Sequence, residues 1–188
     1  MHISAIVIWF YRLDHTRVFL LVLVATILFA VCSRLLERFR CWKILMAIGT
    51  LAAAFLIIYV TVLQRTFGST SKVILIPFHS YYEYFTGIQT EGLRTALMNM
   101  ALFAPVGLFL SELLPYKWKT SKKILVVAVC GFILSVSIEI VQFTFQCGEA
   151  ETDDVINNTI GALLGGLCVT LELWIYQIVK KVLSKLKT

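Results

Sequence analysis

Residues 135–166 read SVSIEIVQFTFQCGEAETDDVINNTIGALLGG, and this stretch decides the fold. Glu139 and Gln142 lie inside an apolar run that ends near Phe145, and a short acidic turn follows. A second apolar run opens through Asp153, Asp154, Asn157 and Asn158, with Gly161 and Gly165 behind them. The pattern is two helices joined by a turn, with polar groups carried into both. An ionisable group at the centre of a membrane helix costs roughly 2.5–3.5 kcal/mol on insertion scales, so it is rare without a reason. The remaining chain reads as scaffolding that holds this cluster at one depth.

Composition assigns that scaffold to a bilayer. The chain has 188 residues, 59% of them hydrophobic and 15% charged, with a mean hydropathy of +0.86. Soluble domains are about a quarter charged. A span takes roughly 20 residues. Five spans are therefore expected, at Val18–Leu36, Trp42–Leu63, Leu93–Leu114, Ile124–Phe145 and Val155–Val179. The fold class is all-α, a polytopic membrane helical bundle of about five transmembrane helices. Ile3–Tyr11 is too short to cross and reads as an interfacial or partly inserted segment. The chain divides into 1–72 (that segment and two spans), 73–179 (a core of three spans) and 180–188 (a basic tail).

The net charge of +6 belongs to the connections rather than to a nucleic-acid surface, and no nucleic-acid partner is expected. Arg34, Arg38, Arg40 and Lys43 join the first two spans; Lys117, Lys119, Lys122 and Lys123 join the third and fourth; Lys180, Lys181, Lys185 and Lys187 form the tail. The opposite side carries Arg12, Arg17, Arg65, Lys72 and Arg94. The positive-inside rule places the tail in the cytoplasm and the amino terminus outside. The acidic turn and the long 64–92 connection then share the outer face. The five cysteines have no paired spacing, which argues against a disulfide framework. The first residues lack a basic stretch, so no cleaved signal peptide is expected.

Depth follows from a rise of 1.5 Å per residue. Asn99 and Glu139 each fall roughly 9 Å below the outer ends of their spans. Asp154 opens the last span, with Asn158 one turn further in. Ser135, Glu139, Gln142 and Gln146 form one stripe, and Asp154, Asn158, Gly161 and Gly165 form another, with Asp153 and Asn157 beside it. Gly161 and Gly165 suit close helix approach. Pro105 cannot donate to the Ala101 carbonyl, so a kink with a freed acceptor is expected beneath Asn99.

Each residue also has a structural reading. Asp153 and Asp154 suit a helix start. Glu139 could be a hydrogen-bond partner of Asn99 or Asn158. Tyr81, Tyr82, Tyr84 and Phe85 suit an aromatic interfacial belt, with a lid over a site as the alternative. Glu172 lies in the inner half of its span, outside the outer cluster.

Several motifs resemble the VanZ-like family. They are Arg94, Leu97, Asn99, Phe103, Pro105 and Gly107 in R-x-x-L-x-N-x-x-x-F-x-P-x-G, then Glu139 and Gln142 in E-x-x-Q, and Asp153 to Gly161 in D-D-V-I-x-N-T-x-G. Leu75, Pro77 and Phe78 resemble an outer-loop motif of the same family. Ile74 stands where Asn is usual, Glu151 where Asp is common, and the 148–151 turn lacks a frequent Arg. Arg94 is then the nearest candidate for an anionic group. The resemblance implies a bacterial cytoplasmic-membrane protein, and the founding member is linked to low-level resistance to teicoplanin, an acylated glycopeptide. It supplies no reaction.

Two functions from different classes follow. In the first, an outward polar pocket binds a lipid-linked or amphiphilic envelope ligand. Glu139, Asp153 and Asp154 serve as acceptors, Asn99, Gln142 and Asn158 as orienting amides, and Arg94 meets an anion. Pro105, Gly107, Gly161 and Gly165 are structural. In the second, the carboxylates carry acid/base chemistry on a lipid-linked substrate. Neither needs a cofactor, and no metal-ligand spacing is present. Coupled transport through Glu139 lacks an internal repeat.

Overall fold

The computed structural model describes residues 24–25, 28–29, 41–68 and 72–185. Apart from those few early positions, the expected first span and the Ile3–Tyr11 segment lie outside the described residues. Four helices there are long and apolar enough to cross a membrane. Helix α1 runs Trp42–Ile58 and continues as a π turn, Tyr59–Leu63. A two-residue strand β1 (Val73–Ile74) and a short helix α2 (His79–Phe85) fill the long connection. Helices α3 (Gly92–Leu113) and α4 (Thr120–Phe145) follow. Strand β2 (Ala150–Glu151) then leads directly into α5 (Thr152–Lys185). The 34-residue α5 is roughly 50 Å long at 1.5 Å per residue, well beyond a 30 Å hydrocarbon core.

Helix outsides are apolar because lipid solvates them. Leu125, Phe132, Ile133 and Ile140 on α4 are exposed, as are Leu51 and Phe55 on α1. Inside, small and polar residues replace the usual greasy core, since burying apolar surface gains little where the solvent is itself apolar. Phe103, Ile57, Val127 and Ile138 fill the remaining centre with Ala162.

Helix α5 packs most extensively on α3. A methyl added at Gly165 would lie 1.9 Å from the Ala104 carbonyl oxygen, and one at Gly161 would lie 2.3 Å from that of Met100. From the other side, a methyl at Gly107 would lie 1.8 Å from the Ala162 carbonyl oxygen. The two backbones therefore touch, an approach that only glycine permits. Helix α3 stays helical through Pro105, so the missing N–H interrupts the ladder without ending the helix.

Outside the bundle, β1 and β2 pair in parallel, Val73 with Ala150 and Ile74 with Glu151. The Lys72–Glu149 ion pair at 3.2 Å flanks them. This clasp ties the long connection to the acidic turn. Gln146 caps α4 in the left-handed conformation (φ 51°) and is exposed, so it leaves the α4 stripe where the sequence had placed it. A helix that ends by reversing its φ swings the capping side chain off the helical face.

Candidate functional site

The polar residues of α3, α4 and α5 meet near the clasp. Asn99 Nδ2 on α3 donates to Asp154 Oδ1 on α5 at 2.7 Å. Asn158 Nδ2, one turn further along α5, donates to Ser135 Oγ on α4 at 2.8 Å. Glu139 accepts the Glu151 backbone N–H at 3.1 Å, so it binds the clasp rather than Asn99 or Asn158. Both of those amides bond other side chains, so the structural alternative that paired Glu139 with Asn99 or Asn158 is not the one formed.

Gln142 on α4 reaches the end of α1. Its Nε2 donates to the Thr61 carbonyl at 2.9 Å. Thr61 lies in the π turn that ends α1, where i to i+5 spacing widens the coil and exposes carbonyls to side chains. Gly148 stands 3.2 Å (as an added methyl) from the Gln142 side chain and leaves room for it. Cys147, Asn157, Asn158, Gln142 and Glu139 are all buried.

The two acidic rows of α5 diverge. Asp154 and Asn158 face the bundle, whereas Asp153 and Asn157 face α2. The Asp153 carboxylate accepts from the backbone N–H groups of Phe78 and Ser80, the latter at 2.8 Å. It therefore caps the start of α2, not of its own helix. Phe78 there has φ 63° and no capping side chain of its own. Tyr81 donates its hydroxyl to Asn157 Oδ1 at 2.6 Å. Burial, and next the Asp153 carboxylate, push the Tyr81 phenol above its ordinary value and keep it a donor. Burial likewise raises the Glu151 carboxyl, with Glu149 and Asp153 adding to the effect and Ser80 Oγ, at 3.2 Å, opposing it. Tyr82 and Phe85 point outward and are exposed.

Two acceptors in this layer have no donor: Gln142 Oε1 and Asn158 Oδ1 are buried and unpartnered among the described residues. With Glu139 and Asp154 beside them, the layer is rich in acceptors. Among the described residues, Arg65, just beyond the π turn, is a cation whose charge reaches both carboxylates. Arg94, by contrast, holds Glu91, the residue just before its helix, at 2.6 Å. Nothing in the sequence marks Thr61 or Ser80, which act through the backbone, and Arg65 reads there only as loop charge. Among the described residues, no group of three or more His, Cys, Asp or Glu could hold a metal ion.

The sequence model of the VanZ/LLP1 family matches residues 44–175, which include every helix described above in whole or in large part. Protein VanZ of Enterococcus faecium is 35% identical over 78 residues, 40% of this chain and 44% of that protein. The match thus spans less than half the length of that curated relative. No solved structure is similar to the chain.

Proposed function

The chain belongs to the VanZ/LLP1 family, and from that premise we propose that its acceptor-rich layer is an outward-facing pocket for a lipid-linked or amphiphilic envelope ligand. In this role it contributes to low-level resistance to acylated glycopeptides of the teicoplanin type. One observation carries the reading: among the described residues, two buried amide oxygens, Gln142 Oε1 and Asn158 Oδ1, lack donors beside two carboxylates. A buried acceptor without a donor costs about 1–3 kcal/mol, a cost that a ligand's hydroxyl, amide or ammonium would relieve. Arg65 would meet an anionic group, a role for which Arg94 is less well placed.

The same proposal includes the wider organisation. Val18–Leu36 is a fifth span, with Ile3–Tyr11 at the interface, and the amino terminus is outside. Residues 1–72 brace the 73–179 core, and the 180–188 tail is cytoplasmic.

A second reading, a membrane-embedded enzyme acting on a lipid-linked substrate, is favoured by the Asp154 carboxylate, whose charge reaches Glu139. Glu139→Gln and Gln142→Met separate the two. In cells challenged with an acylated glycopeptide, Glu139→Gln keeps most of the protection, because an amide oxygen still accepts the Glu151 N–H. Gln142→Met, present at equal level in the membrane, loses protection. Abolition by Glu139→Gln with normal insertion would replace binding with chemistry; full protection by Gln142→Met would remove the pocket.

A further inference from the structure

The 73–88 connection carries an apolar surface that the polar layer does not use. Leu75, Ile76, Phe78, Tyr82, Phe85 and Ile88 are each exposed by 60% or more. Phe78, Tyr82 and Phe85 step by four and three, so they form one face from the head of α2 along its length. The opposite face is fastened to the bundle. There Tyr81 bonds Asn157 at 2.6 Å and Ser80 bonds Glu151 at 3.2 Å. Helix α2 thus turns its polar side inward and its apolar side outward. A short helix standing in water would have the reverse order.

Depth, charge and hydrogen bonding identify what covers that face. Asp153, in the first turn of α5, caps α2, and a methyl at Gly92, where α3 begins, would lie 2.4 Å from the Ser80 carbonyl oxygen. The patch is therefore pinned to the ends of two spanning helices, at the bilayer boundary. Between Lys72 and Glu91 the acidic and basic side chains are His79 and Glu83, which face one another 3.8 Å apart and are largely covered. Lys72 and Glu91 themselves are exposed, their side chains by 74% and 60%. A neutral apolar stretch with open charges only at its ends suits a segment lying along a membrane surface. Thr86 turns its hydroxyl back onto the Tyr82 carbonyl at 2.7 Å. The N–H groups of Gly87 and Ile88 are taken by the carbonyls of Tyr84 and Glu83, and those of Phe78 and Ser80 by Asp153. These donors at both ends of α2 are satisfied without water, as a place beside lipid requires.

We propose that residues 75–88 dock on the lipid surface, with this patch seated in the boundary between headgroups and acyl chains. The assignment divides the aromatic residues of α2: Tyr82 and Phe85 belong to the bilayer, whereas Tyr81 belongs to the contact with α5. Which leaflet is entered rests on the orientation proposed above; the docking itself does not.

The test uses the full chain with its native cysteines replaced by alanine, reconstituted in phosphatidylcholine nanodiscs. Phe85→Cys, Ile88→Cys or Lys72→Cys then carries a single nitrobenzoxadiazole fluorophore. A nitroxide attached to the acyl chain near the headgroup is expected to quench the probes at 85 and 88 several-fold more strongly than the probe at 72. Aqueous iodide is expected to quench them several-fold more weakly. Ile88→Cys repeats the measurement if Phe85→Cys fails to insert. Probes at 85 and 88 as open to iodide as the probe at 72 would overturn the proposal, because the patch would then stand in water. Stronger quenching by a nitroxide at the far end of the acyl chain would also overturn it, placing the segment inside the hydrocarbon. So would probes shielded from lipid and iodide alike, the mark of a protein partner such as a second copy. Each of these failures leaves the reading of the polar layer where it stands.

Discussion

Asp153 places both carboxylate oxygens on the backbone of a segment more than seventy residues away. Hydrogen bonds to a charged acceptor contribute about 1.5–3 kcal/mol, and Asp153→Ala is expected to lower stability by an amount in that range. Tyr81→Phe, which removes one hydroxyl donor, should cost about 0.5–1.5 kcal/mol. Thermal unfolding of the detergent-solubilised protein measures both. Glu151 supplies a pH prediction with a definite sign. Its carboxyl is raised above the ordinary 4.5, so burial favours the protonated form. The stability this contributes is present below pH 4.5 and is lost as pH rises through the raised folded value. Glu151→Gln removes this dependence, so its advantage over wild type should grow from pH 4 toward neutrality. An advantage that shrinks over that range would reverse the sign. Asp153 does stand in the first turn of its own helix, as its type and position suggest, while its carboxylate oxygens bond the start of α2. Local spacing names the kind of partner a carboxylate wants, but not which of two helix starts provides it.

At the scale of elements, the helices were legible because their apolar runs are long and bounded by Lys-, Pro- or Asp-bearing links. Spans expected at Trp42–Leu63 and Leu93–Leu114 coincide with helical structure to within a residue. The clasp was not legible. Strands of two residues have no room for alternation, and their pairing joins segments far apart in sequence. The π turn was equally hidden, since no composition marks a change from i+4 to i+5 bonding. Among the polar layer, residues on one helix face could be grouped by spacing, whereas their partners across helices could not. Spacing therefore left the partner of Glu139 open, and nothing in it marks the Glu151 backbone N–H. The α3–α5 contact yields a firm mutational expectation. Gly165→Val pushes a branched side chain into the Ala104 carbonyl and should destabilise by about 1–3 kcal/mol or more relative to wild type. The yield of monodisperse protein after solubilisation tests this. Equal yields would mean that α3 and α5 do not approach as closely as described.

For the whole molecule, orientation and ligand are the two properties that turn this geometry into a function. Cys147 is buried and would report poorly on sidedness, whereas the Lys72 side chain is 74% exposed beside the clasp. In a variant carrying Lys72→Cys as its accessible thiol, a membrane-impermeant reagent should label intact cells, while Lys119→Cys should react only after lysis. The opposite pattern would invert the protein and turn the acceptor layer toward the cytoplasm, away from any extracellular glycopeptide. Labelling of this kind fixes direction but not occupancy. Occupancy is read most directly by calorimetry on the full chain in lipid nanodiscs, titrated with an acylated glycopeptide and with the same compound lacking its acyl chain. The account predicts saturable binding of the acylated form, at least tenfold weaker binding of the deacylated one, and loss of both with Gln142→Met. Equal affinity for the two forms, or binding unchanged by Gln142→Met, would contradict it.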